Sequence, residues 1–296
     1  VITIGDTAYE QYDYIEDIAV KYADTINNIA AKLKDRADIY NIIIPTSIGV
    51  TLPDNKKKEA DSSSQKKALG KIISKISADV NIVPLYDELM KHRKEYIYFR
   101  TDHHWTAKGA YYAYRVFCKG KQITPHKITD YKKASFGSFM GSFYKETGQS
   151  ISLKKDEFHV YYPVNSADIK LQYTNSDGIT INGDVIEDAS EYGEGLKYSA
   201  FIDGDNPFTL IENNAINDGS SCAVIKESFG NSLIPYLADH YQTIYVIDYR
   251  YWNGNLITFT DENPVDDVII VNNISMTRNS YQIGKMALLM EESNGI

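Results

Sequence analysis

Cysteine is scarce in this chain: Cys118 and Cys222 are the only two among 296 residues. Two thiols cannot build a disulfide framework or a zinc-finger spacing, and the apolar runs around them mark both as buried thiols. Positive charge is short as well. Lys and Arg total 31 against 40 Asp and Glu, a net charge of −9, and no basic run exceeds Lys56-Lys57-Lys58. A chain so charged is a poor partner for nucleic acid, whose phosphates must be neutralised by cations. No apolar stretch approaches the roughly 18 residues that would span a bilayer. No internal repeat is evident. The chain opens on Val1 rather than Met, so a secretion signal or an anchor is expected ahead of it.

The rest is ordinary for a water-exposed globular protein, with 43% hydrophobic and 24% charged residues. The length supports one elaborated domain or two modest ones. Tyrosine is abundant, at 24 residues; its flat apolar face and polar tip suit sugars as well as sheet packing. Helical spacing runs from Tyr9 to Lys34, with acids early and Lys32 and Lys34 late, as the helix dipole favours. "IYNIIIPTS" then reads as a buried strand ended by Pro45. A charged loop leads into a helix near Gln65–Ser77, and "NIVPLYDEL" is a further strand. Thr106 is placed to cap a helix that carries Ala107, Ala110, Tyr114 and Phe117 on one face. After it the text changes to short alternating runs separated by Gly, Asn and Asp. Residues 120–221 are therefore expected to form a β-rich insertion set apart from the main sheet. Strand–helix alternation resumes with "CAVIKES", "NSLIPYLADHY", "TIYVIDYR", "VDDVIIVNN" and the closing helix "SYQIGKMALLMEE". Five buried strands alternating with helices predict an α/β domain, residues 1–119 plus 222–296, with a parallel sheet covered on both faces.

Ligands of such sheets bind beyond the carboxyl ends of the strands. The residues that follow the strands are Thr46 and Ser47; Asp102, His103 and His104; Glu227 and Ser228; Arg250 and Trp252; Asn272 and Asn273. A nucleophile, a base, an acid and amide donors are all present. Ser228 sits between a strand and a helix start, where backbone N–H groups turn toward a developing negative charge. A serine needs a base to take its proton, and that base needs an acid to hold its tautomer. Asp102 and His104 could supply both from one turn. Two other readings of "DHHW" stay open at this point: helix-start chemistry, and a metal site. Adjacent histidines point in different directions, however, and no HxxxH or CxxC partner is present. His92, His126, His159 and His240 read as surface or hydrogen-bonded structural residues.

"TDHHWTAKGAYYAY" and "VIKESFGNSLIPYLADHYQTIYVIDYRYW" resemble the two hallmarks of the DHHW family of Gram-positive bacteria, which is related to the alginate-acetylating, SGNH-hydrolase-like proteins AlgX and AlgJ. "GDTAYEQYDY", "IIIPTS" and "FMGSFYKETG" fit the same layout, so the resemblance covers nearly the whole chain. It implies a flavodoxin-like three-layer α/β/α SGNH fold. Its acid–histidine block precedes the serine block, as in a circularly permuted order. It assigns Asp102 as orienting acid, His104 as base and Ser228 as nucleophile, with His103 in a variable position. Asn273, or Asn272 beside it, is the implied oxyanion amide, and Arg250 and Trp252 join them as candidate oxyanion or substrate-binding residues. Two departures stand out: Glu227 replaces the usual aspartate of the serine block, and no glycine matches the oxyanion glycine.

The resemblance implies a serine-dependent O-acetyltransferase or acetylesterase acting on an extracellular or cell-surface polysaccharide through an acyl-serine. No metal or cofactor is expected. Its partners would be a carbohydrate substrate and a membrane-bound O-acyltransferase as acetyl source. The alternative is a non-catalytic glycan-binding or assembly protein on the same scaffold, which the tyrosines and the β-rich insertion would suit.

Overall fold

A computed structural model describes residues 1–291. Its strands, in chain order, are β1 (Ile2–Ile4), β2 (Thr7–Tyr9), β3 (Asp38–Ile44), β4 (Val80–Ile82), β5 (Lys132–Phe139), β6 (Asp156–Tyr162), β7 (Ile169–Thr174), β8 (Thr180–Gly183), β9 (Phe208–Asn213), β10 (Ser221–Lys226), β11 (Thr243–Asp248) and β12 (Asp267–Asn273). Eight of them form one mixed sheet in the order β4-β3-β12-β10-β11-β9-β7-β8. The first five of that order pair in parallel. They are the five strands expected from the sequence, and their near-continuous Val/Ile runs are what burial on both faces demands.

Alternation along these strands divides the core in two. Ile42, Ile44, Val224, Val246, Ile269 and Val271 face one layer, with the helix Ala107–Lys121 over them. Ile39, Ile43, Ala223, Ile225, Val268 and Ile270 face the other, against the helices Glu16–Leu33, Gln65–Ile73 and Ser280–Leu288. The helix expected over residues 231–241 is shorter than its pattern suggested. It covers Ile234–Leu237, with Pro235 in its first turn, where a missing N–H removes no helical bond.

The stretch 120–221 departs from expectation. Only β5 and β6 stand apart, as a two-stranded antiparallel sheet. β9 pairs antiparallel with β11, β7 with β9, and β8 with β7, so residues 169–213 extend the main sheet rather than decorate it. The reason is an edge: β11 would otherwise expose a full row of unpaired backbone groups, and β9 satisfies them. Alternation in "IKLQYT" and "FTLIE" reports strands but not which strand they pair with.

Parallel register brings the carboxyl ends of the central strands level. Asn273 lies opposite Ile44, and Lys226 opposite Val271. The turn after β10 and the loop 98–105 meet above this edge, where the Tyr98 hydroxyl donates to the Pro45 carbonyl at 2.5 Å. Among the described residues, no helix is long and apolar enough to cross a membrane.

Candidate active site

Ser228 opens a 3-10 turn, Ser228–Gly230, directly after β10. Its backbone makes a close pass over the strand it has just left: a Cβ on Gly230 would lie 2.7 Å from Lys226 Cβ. Glycine is therefore what lets this turn fold back. The Ser228 hydroxyl lies 2.8 Å from His104 Nε2 and 3.4 Å from the Glu227 carboxylate. A hydroxyl has one proton to give, and the shorter contact takes it. His104 Nδ1 is in turn 2.6 Å from Asp102 Oδ1. All three side chains are buried.

Asp102 is held from several sides. The His104 backbone N–H donates to Oδ1 at 2.9 Å and the Ser142 backbone N–H to Oδ2 at 2.8 Å. Burial by itself would raise its pKa, yet the adjacent His104 and His103 and these hydrogen bonds hold the carboxyl well below the usual range. An ionised acid on Nδ1 keeps the proton there and leaves Nε2 to accept from Ser228. Gly141 is required at this spot, since a Cβ would fall 2.2 Å from Asp102 Oδ2.

The loop 98–105 owes its shape to β6. Asp156 is buried, and its carboxylate accepts from the backbone N–H of Arg100 and Thr101, the Thr101 hydroxyl at 2.6 Å and the Tyr96 hydroxyl at 2.5 Å. Trp105 is fully buried, its indole N–H donating to the Phe229 carbonyl at 3.0 Å, so it ties the loop 98–105 to the turn Ser228–Gly230. Thr106 caps the following helix through Gly109 N–H, as its position predicted.

His103 lies beside His104 with ring centroids 3.8 Å apart, and its Nδ1 is 2.7 Å from Ser142 Oγ. About a third of its side chain (34%) is exposed. Asp102, His103 and His104 offer donor atoms within 4.8 Å of one another. In this arrangement, however, both His104 nitrogens are taken by Asp102 and Ser228, so a cation would have to break that chain of hydrogen bonds.

Glu227 fastens the Ser228 turn to its neighbour strand. One carboxylate oxygen accepts from Phe229 N–H and the other from Asn273 N–H at 2.9 Å. Burial pushes its pKa up. Asn273 caps the next turn through Ser275 N–H, and its Nδ2 donates to no group among the described residues.

Asn272 and Trp252 point into the far layer, and Arg250 is held by carboxylates where its charge acts on Glu227. Asn272 shares strand parity with Val268 and Ile270, so its amide points into the opposite layer, where it accepts from the Tyr249 hydroxyl at 2.7 Å. The Arg250 guanidinium is bound to Asp248 at 2.6 Å and Asp205 at 2.9 Å. Burial alone would lower its pKa, and these two carboxylates raise it instead. Trp252 packs edge-on against Phe259 in the same far layer.

Sequence reasoning missed Tyr198. It belongs to the 3-10 turn Lys197–Ala200 ahead of β9. Its ring stacks on His104 at 3.7 Å with 9° between planes, and its hydroxyl donates to the Ser228 carbonyl at 3.0 Å. Ser142 and Asp156 were missed for the same reason: all three come from 120–221, far from both motif blocks. Their only sequence signal was "FMGSFY", which surrounds Ser142.

The family model described as DHHW protein matches residues 1–247. This chain belongs to the DHHW family. A DHHW family protein from Eubacterium siraeum superposes with a TM-score of 0.87 at 26% identity, covering 97% of this chain and 93% of that one. Bacillus cereus PatB1, solved with a sulfonyl adduct, superposes at 0.80 with 19% identity and 98% of each chain covered. AlgX of Pseudomonas aeruginosa is a looser likeness, at 0.48 and 14% identity over 94% of this chain and 62% of that one. No curated protein matches the DHHW chain in a direct comparison.

Proposed function

We propose that this protein is a serine-dependent O-acyl enzyme that transfers or removes acetyl groups on a cell-surface or secreted polysaccharide. The observation that carries this reading is the unbroken chain Asp102–His104–Ser228, at 2.6 and 2.8 Å. Ser228 Oγ attacks the ester carbonyl while its proton passes to His104 Nε2, and Asp102 stabilises the imidazolium formed. The tetrahedral intermediate expels the donor alcohol, which leaves with that proton, and acetyl-Ser228 remains. His104 then takes a proton from a sugar hydroxyl or from water, whose oxygen attacks the acyl carbon, and returns it to Ser228 Oγ as the acyl–serine bond breaks. Asn273 Nδ2, held in place through Oδ1 and its own backbone N–H, is the amide donor for the oxyanion in this scheme.

The strand order supports a permuted SGNH arrangement. Counted from the serine strand, β11-β10-β12-β3-β4 follows the order 2-1-3-4-5 of flavodoxin-like sheets, with the chain opened between its third and fourth strands. The sulfonyl adduct on PatB1 supports a nucleophilic site on this fold. The acetyl group itself comes from the motif resemblance, which also implies a membrane-bound O-acyltransferase as donor.

Hydrolysis of p-nitrophenyl acetate by the wild type and Ser228→Ala tests the reading. An activated leaving group needs little positioning, so even a transferase should pass its acyl group to water. The wild type should turn over and Ser228→Ala should not. Equal rates in both would favour the glycan-binding alternative.

A further inference from the structure

An imidazole hydrogen-bonded at both nitrogens is fixed along one axis but free to roll about it. Rolling tilts the Nε2 lone pair away from Ser228 and bends the Nδ1–H bond to Asp102 with it. In this protein both faces of the His104 ring are occupied. His103 lies on one side, tilted by 37°, and Tyr198 lies flat on His104 at 9°. The Tyr198 hydroxyl reaches past the base to the nucleophile turn, 3.0 Å from the Ser228 carbonyl and 3.3 Å from Ser232 Oγ.

Tyr198 is itself firmly held. Its ring meets Phe201 edge-on at 5.3 Å. Next to it, Lys197 is buried and donates from Nζ to the Ala189 and Ser190 carbonyls at 2.9 and 3.1 Å, which fixes the turn. Beyond the turn, Asp205 accepts from Asn231 Nδ2 at 2.9 Å, so this segment grips the nucleophile turn at a second point. Burial raises the phenol pKa well above its ordinary value, so the hydroxyl remains a donor.

We propose that Tyr198 is a positioning residue that sets the roll of the His104 ring and the height of the Ser228 turn together. This rests on the reading of His104 and Ser228 as base and nucleophile. The stack also gains strength when His104 becomes charged, because a cation is attracted to an aromatic face, so it favours the state in which the serine proton has moved.

Two readouts on Tyr198→Met and Tyr198→Phe test the proposal. One is the hydrogen-bonded Nδ1 proton of His104 in protein labelled with 15N-histidine. The other is the rate at which phenylmethylsulfonyl fluoride modifies Ser228. Tyr198→Met fills the space without a flat face. It should broaden or lose the downfield proton, and slow modification by about tenfold to a hundredfold, as loss of alignment does. Tyr198→Phe keeps the stack; it should retain the proton and stay within about threefold of wild type, the cost of one neutral hydrogen bond. Modification of Tyr198→Met within about twofold of wild type overturns the proposal, as does slowing with an unchanged Nδ1 proton. If Tyr198→Met does not fold, Tyr198→Leu takes its place, with the same expected and overturning outcomes. If wild-type Ser228 is unreactive while the Nδ1 proton still depends on Tyr198, the acyl-enzyme reading falls and the positioning role stands.

Discussion

The two halves of the central sheet do different work. The parallel half, β4-β3-β12-β10-β11, is buried on both faces and delivers Ser228 and Asn273 to one edge by register alone. The antiparallel half and the β5–β6 hairpin deliver no group to the proposed chemistry. They supply what orients it: Asp156 under the loop 98–105, Ser142 on Asp102, Tyr198 on His104 and Asp205 on the Ser228 turn. One region sets where the reacting atoms are and the other sets how they point. Substitutions in the first should therefore cost stability or abolish reaction outright, and substitutions in the second should tune the rate.

The largest effect expected is at the strand edge. Ser228→Ala should remove all serine-dependent ester cleavage with an unchanged melting temperature, read by p-nitrophenyl acetate kinetics and calorimetry. Asp102→Asn should follow, lowering kcat by about 10³- to 10⁴-fold through the wrong imidazole tautomer. Gly141→Ala should act in the same direction from the orienting region, because its methyl group displaces Asp102. A Gly141→Ala variant of full activity would break the division of labour drawn above.

Stability should separate the halves as well. Ile269, fully buried in β12, should cost about 2–5 kcal/mol when cut to alanine, for lost transfer energy plus a cavity. Ile181 in edge strand β8 is 37% exposed, and its replacement by alanine should stay within about 0.5 kcal/mol. Chemical denaturation of the two variants checks this.

The smallest effect concerns pH. Burial, with His126 nearby, holds the His240 pKa down to about 4 from 6.5, and its Nε2 lies 2.5 Å from the Tyr114 hydroxyl. Between those two values the unfolded chain binds a proton that the folded chain refuses, so stability falls as pH drops from about 6.5 toward 4. His240→Gln should flatten that part of the stability–pH curve, and above pH 7 its slope should match wild type.

Much of the parallel half was legible because its signals are local. A buried strand announces itself as a β-branched run, and a polar residue just past its end is near the site by topology. Which way that residue points is not local. Asn272 and Asn273 are neighbours in sequence, yet strand parity sends one amide into the helix layer and leaves the other at the edge. Trp252 was misplaced by the same rule, since an end-of-strand position does not reveal that Phe259 is waiting for the side chain. The antiparallel extension was read as strands but not as part of this sheet, because pairing with β11 is decided by a partner far along the chain. Tyr198 was one tyrosine among 24, and nothing around it marks a ring destined for the base. His103 and His104 were separable in advance only through motif spacing; the structure separates them by partner, one on Ser142 and one on Ser228.

The central claim is that Ser228 carries the acyl group and that His104 makes the serine reactive by taking its proton. Acid-quenched peptide mass spectrometry after brief exposure to p-nitrophenyl acetate tests this most directly, comparing wild type, His104→Gln and His103→Gln. An acetyl mark on the Ser228 peptide in wild type and His103→Gln, and none in His104→Gln, is the predicted result. An acetyl group on any other residue, or equal marking of Ser228 with and without His104, would contradict it.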